Sequence, residues 1–96
     1  MSFPWATLAG WEARAIDTPY RRTFVIAEVD AIRKRVLFKN STGSQQWLYA
    51  RELEAIYEHA QVHGPVRPVD VYAVLGTRAY RSATYAAALV NELLRE

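Results

Sequence analysis

The sequence predicts an α+β domain, with a three-stranded antiparallel meander followed by three helices. Three observations carry that expectation. Residues 23–30 (TFVIAEVD) alternate in polarity and are rich in β-branched and aromatic side chains, which suit a half-buried strand. Residues 35–39 (RVLFK) resume the apolar pattern after a basic interruption, as the return strand of a hairpin would. Residues 80–95 (YRSATYAAALVNELLR) form the longest periodic stretch, in which Tyr80, Ala83, Ala87, Val90 and Leu94 step by three and four. Ala86, Leu89 and Leu93 widen that stripe, so this helix is expected to be buried on more than one side.

A chain of 96 residues, 51% of them hydrophobic and with a net charge of +2, is expected to form a single domain over residues 1–96. The opening residues Phe3, Trp5, Leu8 and Trp11 offer more aromatic surface than a free terminus leaves in water. We therefore expect an N-terminal arm that docks on the domain or on a partner. Gly10 weakens a helix there, and Asp17-Thr18-Pro19 reads as a stop, because the residue before proline is pushed out of the α region. Within residues 23–30, strict alternation puts Phe24, Ile26 and Glu28 on one face and Val25, Ala27 and Val29 on the other. Arg33, Lys34 and Arg35 then mark an exposed hairpin tip. Asn40 to Gly43 form a second turn, with glycine supplying positive φ, and Gln46 to Tyr49 return as the third strand.

Leu53, Ile56, Tyr57 and Ala60 lie on one helical face, away from Glu52, Glu54 and Glu58, which places an amphipathic helix over about residues 50–62. Gly64 and Pro65 stop it. Pro68 suits a first-turn position, with Asp70 at the positive end of a short helix that Gly76 closes. Thr77 can then cap the last helix.

Chemistry-bearing patterns are few. With no cysteine, neither a disulfide framework nor a thiolate zinc site is available. His59 and His63 have the i, i+4 spacing of two ligands on one helix face, but Ala60, Gln61 and Val62 between them supply no third ligand. Ser82 and Thr84 have no histidine near in sequence to activate them, and Gly43 and Gly76 are too isolated for a phosphate loop. The chain is therefore expected to be neither an enzyme nor a cofactor binder. No window has the length and hydropathy of a membrane span, and the N-terminus has no basic n-region ahead of an apolar run. The expected location is cytoplasmic.

Charge is unevenly spread. Arg21, Arg22, Arg33, Lys34, Arg35 and Lys39 against Glu28 and Asp30 give residues 20–50 a local charge of +4. A short helix, a turn at Gly76 and a longer helix, preceded by a β-meander, resemble a helix-turn-helix or winged-helix module over residues 50–96. The resemblance implies that Arg78, Tyr80, Arg81, Ser82 and Thr84, at the start of the last helix, contact phosphates or base edges. Tyr72 and Ser82 depart from it, standing where that motif places a small residue and a buried aliphatic one.

The expected function is thus a small nucleic-acid-binding module, for DNA, that uses Arg33, Lys34 and Arg35 together with Arg78, Tyr80, Arg81, Ser82 and Thr84. The alternative is a protein-interaction or homodimerisation module working through the aromatic arm, with no nucleic-acid role. A third reading, a small-molecule binder lined by tyrosines and tryptophans, requires a cavity.

Overall fold

The computed structural model describes residues 3–18, 22–76 and 83–95. In chain order it contains α1 (Trp5–Ala9), β1 (Ala15–Asp17), β2 (Thr23–Asp30), β3 (Arg35–Lys39), β4 (Gln45–Tyr49), α2 (Ala50–His63), α3 (Pro68–Leu75) and α4 (Ala83–Leu94). The strands form one antiparallel sheet in the order β1-β2-β3-β4. The α+β class is as expected. The meander has four strands rather than three, and the described residues hold four helices rather than three.

Both additions come from the arm. Trp5–Ala9 is a short helix that stops at Gly10, and Ala15–Asp17 is too short to display a period of its own. Tertiary contacts make β1 a strand. Ile16 is buried opposite Phe24, the Thr18 N–H donates to the Arg22 carbonyl at 2.7 Å, and Thr23 Oγ1 donates to Asp17 Oδ1 at 2.7 Å. The aromatic arm docks as expected, with Phe3, Leu8 and Trp11 in the core. Phe3 meets Tyr57 of α2 edge-on, and Trp5 Nε1 donates to Glu54.

The second correction concerns β2. A bulge between Ile26 and Glu28 makes Glu28 face Leu37 and Val29 face Val36. One extra residue reverses the alternation beyond it. Phe24, Ile26 and Val29 therefore share the covered face, while Ala27 and Glu28 both point to solvent. Had strict alternation continued, a carboxylate would have entered the core. The Val29 N–H, beyond the reach of β1, donates instead to the Glu12 carboxylate at 3.0 Å.

Helices cover one face of the sheet. Ile16, Phe24, Ile26, Val36, Phe38 and Leu48 point into the core, where Tyr85 of α4 packs on Phe24 and Phe38 with ring centroids 5.3 and 4.6 Å away. As expected, α4 is buried on more than one side. Ala86, Ala87, Ala88, Leu89 and Val90 are consecutive and all buried, and steps of about 100° carry five successive residues around the whole helix. Small side chains allow this, because α4 touches α2, α3 and β1 together.

The connections obey the local rules read from the sequence. Gly64 and Gly76 end α2 and α3 with φ of 87° and 79°, and Gly43 has φ 90° in the β3–β4 turn. In that turn Asn40 Oδ1 accepts hydrogen bonds from the Thr42 and Ser44 amides. At the start of α3 the Arg67 N–H donates to Asp70 Oδ2 at 2.9 Å. The proposed cap Thr77 lies outside the described residues.

Candidate nucleic-acid interface

Among the described residues no helix covers the opposite face of the sheet. Val25, Lys39, Gln45 and Tyr49 are exposed on it, and Arg35, Leu37 and Trp47 are half-buried. Its most basic part is the end at which β2 turns into β3. Asp30 organises that turn by accepting the Arg33 N–H at 3.0 Å. This hydrogen bond, aided by the charges of Arg33 and Arg35, holds the Asp30 carboxyl below the usual carboxylate range, against the opposing effect of desolvation. Lys34 adopts φ 57° to complete the reversal, which leaves Ile32 94% exposed between the strands.

Arg33 and Lys34 are exposed at the tip, as expected. Arg35 is placed differently. It is the first residue of β3, with its Nε 3.6 Å from Asp30 Oδ2 and its guanidinium 3.9 Å above the Trp47 ring. Its cation is thus stacked on the sheet face rather than free at the tip. Tyr49, 49% exposed, lies directly across from Arg35 in the β3–β4 ladder.

One further cation joins this group through the fold. The Ala50 N–H, first in α2, donates to the Lys34 carbonyl at 2.9 Å, which fixes the start of α2 beside the tip. Arg51, the next residue, is exposed. Arg33, Lys34 and Arg35 therefore lie with the start of α2, and so with Arg51, at one end of the sheet, where Arg35 stacks on Trp47 and pairs across the ladder with Tyr49 and where Asp30 is the neighbouring carboxylate. Glu52, also in the first turn of α2, is half-buried, and burial pushes its carboxyl up.

Arg51, Trp47 and Tyr49 were not among the residues expected from sequence. A signal for two of them existed. Folding residues 35–49 about the Asn40–Ser44 turn pairs Arg35 with Tyr49 and Leu37 with Trp47. Arg51 carried no such signal, because its position depends on a hydrogen bond between separate elements.

Of the other half of the expected footprint, only Thr84 falls among the described residues. Arg78, Tyr80, Arg81 and Ser82 lie outside the described residues. Thr84 is half-buried and borders a cleft with Thr18, Arg22 and Tyr85. That cleft adjoins the start of β2, whereas the basic tip follows its end, and an eight-residue strand spans roughly 25 Å. Between Ala83 and Leu94 every residue of α4 is buried or half-buried, so this length of helix has no open face for a groove.

Of the remaining constellations, His59 and His63 stack with ring centroids 4.5 Å apart. Among the described residues no group of three or more histidine, cysteine, aspartate or glutamate side chains is placed to hold a metal ion. Among the same residues no helix is long and apolar enough to cross a membrane. Compared with protein-family models, with curated proteins and with solved structures, the chain matches none.

Proposed function

We propose that this chain is a non-enzymatic nucleic-acid-binding module whose contact surface is the basic, aromatic end of the open sheet face. The observation that carries the reading is the gathering of three exposed cations, Arg33, Lys34 and Arg51, at the end of the sheet whose open face presents Tyr49 and the Arg35–Trp47 stack. Cations supply phosphate affinity, and planar groups beside them supply contacts that bases can use. The described part of α4 contributes no cation to this surface.

The test is fluorescence anisotropy with labelled mixed-sequence DNA, single-stranded and duplex, across a salt series. Three engaged cations give a log–log salt slope of about −2.7 on duplex and about −2 on a single strand. Arg33→Ala with Lys34→Ala should remove roughly two-thirds of that slope. Absence of binding to either form at roughly 100 µM protein, the weak end of non-specific affinity, would refute the reading.

The competing reading, an interaction or homodimerisation module, drew its warrant from the aromatic arm. Phe3, Leu8 and Trp11 are spent on the chain's own core, so that surface is already covered. Away from the open sheet face and its turn, exposed Val62 and Val69 beside the α2–α3 connection are apolar groups among the described residues that such a partner could use.

A further inference from the structure

We infer that the strand bound at this surface is single, held by bases stacking on Tyr49 and on the Arg35–Trp47 pair while Arg33, Lys34 and Arg51 follow its phosphates. This inference rests on the nucleic-acid reading above and names the form of the ligand.

Three features favour a single strand over a duplex. First, the basic turn is not a free ribbon. Only residues 31–34 lie between the strands, and the Lys34 carbonyl is tied to the first amide of α2. A short turn tied to α2 in this way is not free to swing toward the floor of a major groove, which is about 8.5 Å deep. Second, the planar groups stand out from the open sheet face, on β3 and the edge strand β4. Base pairs in a duplex hide their π-faces from such a surface, whereas unpaired bases can lie flat on it. Third, the platform is already assembled. The guanidinium of Arg35 sits 3.9 Å over the indole of Trp47, and the Asp30 carboxylate 3.6 Å from its Nε restrains it. Tyr49 is its cross-strand neighbour, with half its surface open to solvent.

The charge balance suits a polyanion. Asp30 is engaged with the Arg33 amide and Arg35, which leaves the cations of Arg33, Lys34 and Arg51 unmatched by any ion pair found among the described residues. Glu28 is exposed further along the same face, beside Leu37. A bound strand would therefore keep its phosphates toward the turn and the start of α2.

The experiment uses the whole chain and three labelled probes of one length: a mixed-sequence single strand, its duplex, and a single strand whose central nucleotides are abasic. The single strand should bind at least about tenfold more tightly than the duplex, and the abasic strand should lose most of that advantage. Tyr49→Ala should weaken single-strand binding by about 5- to 150-fold, the range for one stacked base, while leaving the salt slope unchanged. Tyr49→Phe should retain binding. Circular dichroism of both variants should match the parent, since Tyr49 is largely exposed. Duplex binding equal to or tighter than single-strand binding, or equal binding of the abasic strand, would overturn the single-strand inference and leave the nucleic-acid reading standing. Failure to bind any probe would overturn both.

Discussion

Asn91 offers the most direct check on the architecture, because a single side chain closes the connection between two helices. Between His63 and Pro68 the backbone leaves α2 and has not yet entered α3, so its polar groups need partners from elsewhere. Val66 is 3% exposed at the middle of that passage. Its N–H donates to Asn91 Oδ1 at 2.7 Å, and its carbonyl accepts from Asn91 Nδ2 at 2.7 Å. Only one orientation of the amide satisfies both contacts. Asn91→Ala leaves two backbone groups without partners, each costing about 1–3 kcal/mol when buried. Water from the groove lined by Gly64, Pro65 and Asn91 can offset part of this, so the expected loss is about 2–3 kcal/mol.

Asn91→Asp separates the two contacts. A carboxylate keeps the acceptor for the Val66 N–H but turns a lone pair toward the Val66 carbonyl, and Glu92 stands next to it in sequence. Both effects disfavour ionisation, so the introduced carboxyl has a folded-state pKa above its unfolded value. Its protonated form can donate to the Val66 carbonyl. The variant's deficit relative to wild type should therefore be largest near pH 7. It should shrink as pH falls through the raised folded value, reaching its minimum below the unfolded value of about 3.9. Urea denaturation followed by tryptophan fluorescence at pH 7 and 5, with hydrogen exchange of the Val66 amide, measures both parts. An Asn91→Ala midpoint equal to wild type with unchanged Val66 exchange would refute the clamp. An Asn91→Asp deficit identical at the two pH values would refute its geometry.

Three further outcomes follow from the same structure. Ala87, wholly buried in a helix touched from several sides, leaves no room for a larger residue, so Ala87→Leu should destabilise by about 1–3 kcal/mol in thermal or urea melts. Ala13 holds φ 71°, a left-handed conformation that costs a non-glycine residue roughly 1–2 kcal/mol; Ala13→Gly should stabilise by up to about 1 kcal/mol after the added chain entropy, and a lowered midpoint would contradict this. The Arg67 backbone N–H, then the Arg67 side chain, hold the Asp70 carboxyl below its usual range, so the stability it contributes is present above the unfolded carboxylate value and is lost as pH falls through the folded one. The gap in melting temperature between wild type and Asp70→Asn should accordingly close between about pH 5 and pH 2, and a gap independent of pH would show that the carboxylate does not cap α3.

What the sequence made legible was local. The alternation of residues 23–30 and 35–39, and the glycine stops at Gly64 and Gly76, depend on the preferences of neighbouring residues, and the strand and helix bounds follow them closely. What it hid depends on contacts between distant segments. Three residues from Ala15 to Asp17 become a strand only because β2 supplies their partners. The bulge in β2 was equally hidden, although Glu28 gave a hint, since strict alternation placed a charge on the covered face. At the candidate interface Arg33 and Lys34 were legible as turn residues. Arg51 became their neighbour only through the Ala50–Lys34 hydrogen bond.

The arrangement also explains why the most conspicuous stretch of the sequence is an indirect guide to the proposed contact surface. Length, alanine content and periodicity single out the C-terminal helix, yet those properties allow α4 to be enclosed by α2, α3 and β1. Once α4, α2 and the aromatic arm cover one side of a four-stranded sheet, no described element covers the other side. On that side β4 alternates buried Leu48 with outward Trp47 and Tyr49, and β3 alternates buried Val36 and Phe38 with outward Arg35, Leu37 and Lys39. The pleat that sends Val36, Phe38 and Leu48 into the core thus also sets out the aromatic and basic groups beside the turn. A one-residue slip of β3 against β4 would exchange the two sets, burying Arg35 and exposing Phe38. The register that stabilises the core therefore also fixes the proposed contact surface, and neither can shift without the other.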